Sequence, residues 1–160
     1  MKITTAAEAA GDPRVVAFGR LLGTANRLEY MLGRELEARC GISHLVFEVL
    51  LILGRAGAPG LPMRRIAQEQ VLTTGGATRL VDRMVHAGLV ERVADPGDRR
   101  VQLVRLTALG ERTVVEAANV HVHNVERQFL SVLPEQEREQ FTDQLRVLAH
   151  AVRDALPRLS

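Results

Sequence analysis

Residues 61–106 read LPMRRIAQEQVLTTGGATRLVDRMVHAGLVERVADPGDRRVQLVRL, and this stretch decides the fold. Met63 to Gln70 predicts a short helix with Ile66 and Ala67 inward. Thr73-Thr74-Gly75-Gly76 then leads into Ala77, Leu80, Val81 and Met84, whose helical spacing draws one apolar stripe along a second helix ending at Gly88. Two short helices joined by a tight turn form a helix-turn-helix. Leu89 to Ala94 and Arg99 to Leu106 are β-prone runs on either side of the turn sequence Asp95-Pro96-Gly97-Asp98, so a hairpin follows at once. A helix-turn-helix with a hairpin appended is the winged form of that motif.

The polar side of the second helix carries the chemistry. Gly75, Arg79, Asp82, Arg83 and His86 lie opposite the apolar stripe, with Thr78 at the edge, and Arg79 and Arg83 are one turn apart. An arginine fork bonds a guanine edge at two points or pairs with a phosphate, and a threonine bonds a base edge or packs on a thymine methyl. Thr73, Thr74, Gly75 and Gly76 open the helix, and the two glycines leave backbone N–H groups bare for a phosphate. Alone, such a face is equally a solvated helix surface. The hairpin tip adds Arg99 and Arg100, which suit the concentrated negative potential of a minor groove. Asp98 is expected to hold the Arg100 guanidinium by a charge-assisted bond.

Outward from this core the chain is helical. Asp12-Pro13 reads as an N-cap and first turn, and Phe18, Leu22, Ala25, Leu32 and Leu36 then keep one face to about Arg39. Ser43 caps a second helix whose core stripe is Val46, Val49, Leu50 and Leu53, while His44, Phe47, Glu48 and Leu51 make a second face. Ala56 to Pro62 reads as a loop. Thr107 starts a long helix with Val115, Ala118, Val122, Val125, Phe129 and Val132 at spacings of three and four, although Gly110 stands where a capping box places Glu. Pro134 opens a last helix with the stripe Phe141, Leu145, Leu148, Val152 and Leu156. Helices of ~25 residues extend ~37 Å, too far for a small core to cover. A second copy of the chain is therefore expected on Phe18, Leu22, Phe141, Leu145, Leu148 and Val152. The expected fold class is mainly α with a small β-hairpin wing, a winged helix-turn-helix domain flanked by long N- and C-terminal dimerisation helices. Its divisions are a flexible N-terminus over 1–12, a dimerisation helix over 13–40, the DNA-binding domain over 42–106, and long helices completing the dimerisation region over 107–158.

Composition narrows the function classes. The 160 residues suit one domain with an appended element. Charge is uneven: residues 55–105 hold nine basic and five acidic residues, against six and six before them and six and eight after. A local basic excess on a balanced chain suits a polyanion-binding module. Aromatics are 3% with no Trp, which excludes stacking platforms for single strands. One cysteine, Cys40, excludes an internal disulfide and multi-cysteine metal sites. Neither a signal peptide nor a run of ~18 apolar residues is present, so the expected location is cytoplasmic, with no membrane partner. None of the familiar catalytic or nucleotide-binding motifs occurs, and neither enzymatic activity nor a cofactor is expected.

The runs GISHLVFEVLLILGRAG, LPMRRIAQEQVLTTGGATRLVDRMVHAGLVERV and DPGDRRVQLVRLTALGE resemble the winged helix-turn-helix of the MarR family of bacterial transcriptional regulators. The resemblance covers about residues 13–158 and is most specific at TRLVDRMVHAGLVER and at DRR followed by LTALG. It implies an obligate homodimer with interlocked terminal helices, reading a palindromic operator in double-stranded DNA. It places Thr78 and Arg79 in the major groove and Arg100 in the minor groove, with Asp98 as buttress. Gly75-Gly76 departs from the Ser/Thr-type side chains of that pattern.

The resemblance also implies a small aromatic ligand between the dimer helices and the winged domain. His44, Phe47, Glu48 and Leu51 are the residues best suited to line such a pocket, and ordinary core packing accounts for them equally. Cys40 lies at the far end of its helix with no second cysteine to resolve it, which favours an inert thiol. His121 and His123 point about 200° apart on a helix, and Val125 occupies the i+4 position, so no metal site is expected. The reading is a ligand-responsive homodimeric repressor. The alternatives are an effector- or protein-binding dimer with a vestigial winged domain, and a metal- or redox-sensing regulator.

Overall fold

The computed structural model describes residues 2–155. Within the segment expected to be flexible, Thr5 and Glu8 close a capping box that starts α1 (Ala6–Gly11). Asp12 Oδ1 then accepts from the Arg14 backbone N–H at 2.9 Å and starts α2 (Pro13–Cys40). Gly41, with φ at 67°, ends it in the left-handed conformation that glycine adopts without a Cβ penalty. Ser43 caps α3 (His44–Ala56) through the Val46 N–H, as its sequence position predicts.

The segment read as a loop contains a strand. β1 (Leu61–Pro62) precedes α4 (Met63–Glu69), α5 (Thr74–His86), β2 (Val90–Ala94) and β3 (Gln102–Leu106). The sheet is antiparallel in the order β1-β3-β2, with Leu61 opposite Val104 and Val90 opposite Leu106. Two residues carry no periodicity, and Gly60 and Pro62 read as loop composition. The strand forms because β3 offers an edge, and Gly60 sits so close to the Val104 carbonyl that a Cβ there would collide with it.

Thr107 caps α6 (Ala108–Val125): its hydroxyl accepts from the Gly110 N–H at 3.0 Å and donates to the Gly88 carbonyl at 2.6 Å. Gly110 presses its backbone on the Leu89 carbonyl, leaving no space for a Cβ, and that contact excludes the capping-box Glu. One π turn, Glu126–Leu130, follows, and then α7 (Glu135–Ala155). Leu156, expected on the last stripe, lies outside the described residues.

The core gathers Leu36, Phe47, Leu50, Leu53, Ile66, Leu80, Met84, Val90, Val104, Val114 and Ala117 from α2 to α6 and from β2 and β3, with Leu61 of β1 packed against it. Each large side chain contributes roughly 1.5–3 kcal/mol by leaving water. α6 turns a different face inward from its valine stripe: Gly110, Val114, Ala117 and Asn124 are buried, whereas Val115 and Val122 are exposed. α2 divides along its length, with Leu32 and Leu36 buried but Phe18 60% exposed.

Candidate nucleic-acid interface

The stripe Ala77, Leu80, Val81 and Met84 is buried, and this orients α5 with its polar side outward. Thr73 Oγ1 accepts from the Gly76 N–H at 3.2 Å, so Thr73 caps the helix, and Thr74 and Gly75 are exposed beside it. Thr78 is half-buried and donates its hydroxyl proton to the Thr74 carbonyl at 2.9 Å. Its methyl group and the remaining lone pairs of its oxygen are what it can offer a base. Arg79 is exposed and its Nε donates to the Gly75 carbonyl at 3.3 Å, which leaves the two Nη groups for a forked contact. Arg83 is also exposed. A Cβ at Gly75 would meet nothing within 4 Å, so space rather than packing surrounds the bare backbone at the helix start.

The turn before α5 is strained. Val71 has φ at 52°, and the Leu72 N–H closes the end of α4 on the Ala67 carbonyl at 2.9 Å. A β-branched residue in that conformation costs roughly 1–2 kcal/mol, retained here by the geometry that aims α5.

At the wing tip, Asp95 Oδ1 accepts from the N–H groups of Gly97 and Asp98 at 2.7 and 3.2 Å. Asp98 Oδ1 accepts from the Arg100 N–H at 3.0 Å, and the Val101 N–H closes the turn on the Asp98 carbonyl at 2.9 Å. The expected bond from Asp98 to the Arg100 guanidinium is replaced by this one to the backbone. An Asx side chain two residues ahead of an N–H reaches it with little loss of rotamer freedom, whereas a guanidinium must fold back to be reached. Among the described residues no ion pair joins Asp98 to either wing arginine. Arg99 and Arg100 are exposed on a turn pinned by two carboxylates.

The expected effector pocket is partly core. Phe47 is 1% exposed, with its ring 4.9 Å from His121 and 6.3 Å from His44, and Leu51 packs against the core cluster. His44 Nε2 lies 3.7 Å from Glu48 Oε1. A groove of about 390 Å³ does open between α2 and the start of α3, bordered by Asn26, Tyr30, Arg34, Glu37 and His44. His44 alone of the four expected residues borders it. His121 is half-buried, with its ring tilted 37° against that of His44 and the centroids 5.5 Å apart. Burial first and His44 second push its pKa below the ordinary 6.5, with Glu48 opposing. Among the described residues its buried Nδ1 has no hydrogen-bond partner, nor has Gln128 Oε1. The signal was present as Gly110, Val114, Ala117, His121 and Asn124 at helical spacing, but a valine stripe on the same helix outweighed it.

Burial and the nearby Glu116 push the Cys40 thiol up, and Arg39 opposes them only as the smallest influence. His123 is exposed, and among the described residues no three metal-ligating side chains gather.

The sequence pattern of the MarR family matches residues 40–101, from the end of α2 to the wing tip. The HTH-type transcriptional regulator PecS of Dickeya dadantii (strain 3937) is 30% identical over 122 residues, which span 74% of this chain and 73% of PecS. The chain belongs to the MarR family. Two solved structures extend the likeness to almost all of this MarR-family chain. The Streptomyces coelicolor MarR family transcriptional regulator Sco3205, in complex with DNA, aligns with a TM-score of 0.77 at 24% identity, covering 94% of this chain and 91% of that one. CouR from Rhodococcus jostii RHA1, bound to p-coumaroyl-CoA, aligns with a TM-score of 0.70 at 27% identity, covering 89% and 95%. This MarR-family chain is a DNA-binding transcriptional regulator with a winged helix fold, and its curated relatives are regulators rather than enzymes. No helix among its described residues is long and apolar enough to cross a membrane.

Proposed function

We propose that this MarR-family regulator is a cytoplasmic homodimeric repressor, without enzymatic activity, that leaves a palindromic operator when a small aromatic ligand binds. The observation that carries the DNA reading is the joint exposure of Arg79 and Arg83 on α5 and of Arg99 and Arg100 on the carboxylate-pinned turn that follows it. Thr78 and Arg79 read the major groove, and Arg100 enters the flanking minor groove. The N–H groups of Thr74 and Gly75 and the hydroxyls of Thr73 and Thr74, with Arg83 and Arg99, face phosphates, while the Gly76 N–H is taken by the Thr73 cap. Residues 42–106 form the reading domain, while 13–40 and 107–158 form the dimer. Two-fold symmetry then sets half-site centres ~10 bp apart.

The dimer reading is supported by apolar side chains that the single chain leaves open: Phe18, Leu22, Leu148 and Val152 are exposed, and Phe141 and Leu145 are half-buried. The groove at His44, with Tyr30 and Arg34, offers an aromatic surface, a cation and an imidazole to an aromatic acid. The structural likeness to CouR with bound p-coumaroyl-CoA favours that ligand class.

Selection of random duplexes by the purified protein, followed by titration of the winners at several salt concentrations, tests the reading. A recovered palindrome bound with a steep salt slope, and released by an aromatic acid, is the expected result. Weak, sequence-blind binding favours a vestigial winged domain.

A further inference from the structure

Asp82 is the only acidic residue in α5, and it stands on the face that Arg79 and Arg83 make basic. A lone carboxylate on a surface that approaches phosphates is unfavourable unless something cancels it. Arg92 of β2 does so: its Nη2 lies 2.6 Å from Asp82 Oδ1, and its side chain is 34% exposed.

Strand geometry explains why Arg92 reaches the helix. Arg92 pairs with Val104 and shares a strand face with the buried Val90, so it projects on the side of the sheet that packs on α5. Glu91, on the opposite face, pairs instead with Arg105 directly across the ladder at 2.8 Å. Between α5 and β2 the chain makes a turn through Gly88, with φ at 72°, and the ion pair ties the two elements again beyond that junction and the shared core of Val90, Leu80 and Met84. Among the described residues no other ion pair joins α5 to the hairpin.

We propose that Asp82–Arg92 is a strut that sets the wing against the recognition helix, so that the major-groove and minor-groove contacts are made together. Both are positioning residues, and neither touches DNA. With the strut, the hairpin that carries Arg99 and Arg100 is triangulated by its junction, its packing on the core and the ion pair. Without it the base of the hairpin stays held by β1 and the core, but the wing loses its direct tie to the recognition helix, and Arg100 arrives less well in register with Arg79. Arg92 also removes the repulsion that an unpaired Asp82 exerts on the phosphates. This inference rests on the proposed DNA interface.

The test measures binding of the full-length protein to the duplex it selects, for wild type and for Asp82→Ala, Arg92→Ala, Arg92→Lys and the double alanine variant, each alone and with Arg100→Ala. Either single alanine variant is expected to lose about three- to fivefold in affinity, the range of an ion pair with partial exposure. The double variant loses no more than Arg92→Ala alone, and Arg92→Lys restores most of the loss. Arg100→Ala costs less in the double variant than in wild type, because the wing delivers Arg100 less well. A fall in the salt slope of about one on Arg92→Ala, persisting when Asp82 is already alanine, would make Arg92 a phosphate contact and overturn the strut. Additive losses, or none, overturn it as well. Thermal unfolding identifies any variant lost through misfolding, and the conservative Asp82→Asn then replaces it in the cycle. If wild type selects no duplex, the interface reading fails and takes the strut with it; binding by wild type with no coupling in the cycle is the failure of the strut alone.

Discussion

Arg79 and Arg100 are both exposed arginines, yet their surroundings assign them different tasks. Arg79 is anchored at Nε to the carbonyl of Gly75 and presents its outer nitrogens from a rigid helix, which suits a two-point contact to one base. Arg79→Ala is therefore expected to relax base preference at one position in each half-site, by about 1–3 kcal/mol of discrimination. Equal loss on every sequence in a competition titration would make it a phosphate contact. Arg100 has its backbone N–H held by Asp98 and extends from a turn, which suits a groove recognised by width. Arg100→Ala should weaken binding most on operators with AT-rich flanks. A loss independent of flank composition would remove the minor-groove role.

α6 owes its position to contacts between segments far apart in sequence. The start of α6 rests on the Leu89 carbonyl through Gly110, where a methyl group has no room. Gly110→Ala should destabilise the fold by about 2 kcal/mol or more despite the higher helix propensity of alanine, as read by denaturant unfolding. A gain in stability would mean that this junction yields. Farther along α6, His121 is held below the ordinary 6.5 by burial and by His44. The unfolded chain binds the proton more readily than the folded one, so this site contributes stability above about pH 6.5 that is lost as pH falls below it. Unfolding measured between pH 7 and 5 should lose part of its slope in His121→Gln. An unchanged slope assigns the acid sensitivity to other groups. His121 belongs to α6 and packs on His44 and Phe47 of α3, so its protonation is felt at the contact between those two helices.

For the whole molecule, the described chain leaves the N-terminal half of α2 and the later part of the α7 stripe exposed, with Leu148 at 45% and Val152 at 52%. Such area is stable in water when a second subunit takes it up. Leu148→Glu with Val152→Glu should convert the dimer to a monomer in sedimentation at micromolar concentration and abolish tight operator binding, since each half-site alone is weak. A dimer that survives both charges would place the interface elsewhere. The caps at Asp12, Ser43, Thr73 and Thr107, the α5 stripe and the wing turn were legible in the sequence, because each depends on side chains within a few residues of the backbone they serve. By itself the sequence determined the winged helix-turn-helix, the exposed basic face of α5 and the wing tip, and the presence of helices on either side, although the helix expected through Val132 ends at Val125 and passes into a π turn. Tertiary structure decided the pairing of β1 with β3, the face of α6 that turns inward, the burial of Phe47 beside His121, and the tie between Asp82 and Arg92. Each of these joins residues distant along the chain, and one-dimensional spacing holds no record of which distant surface a side chain will meet.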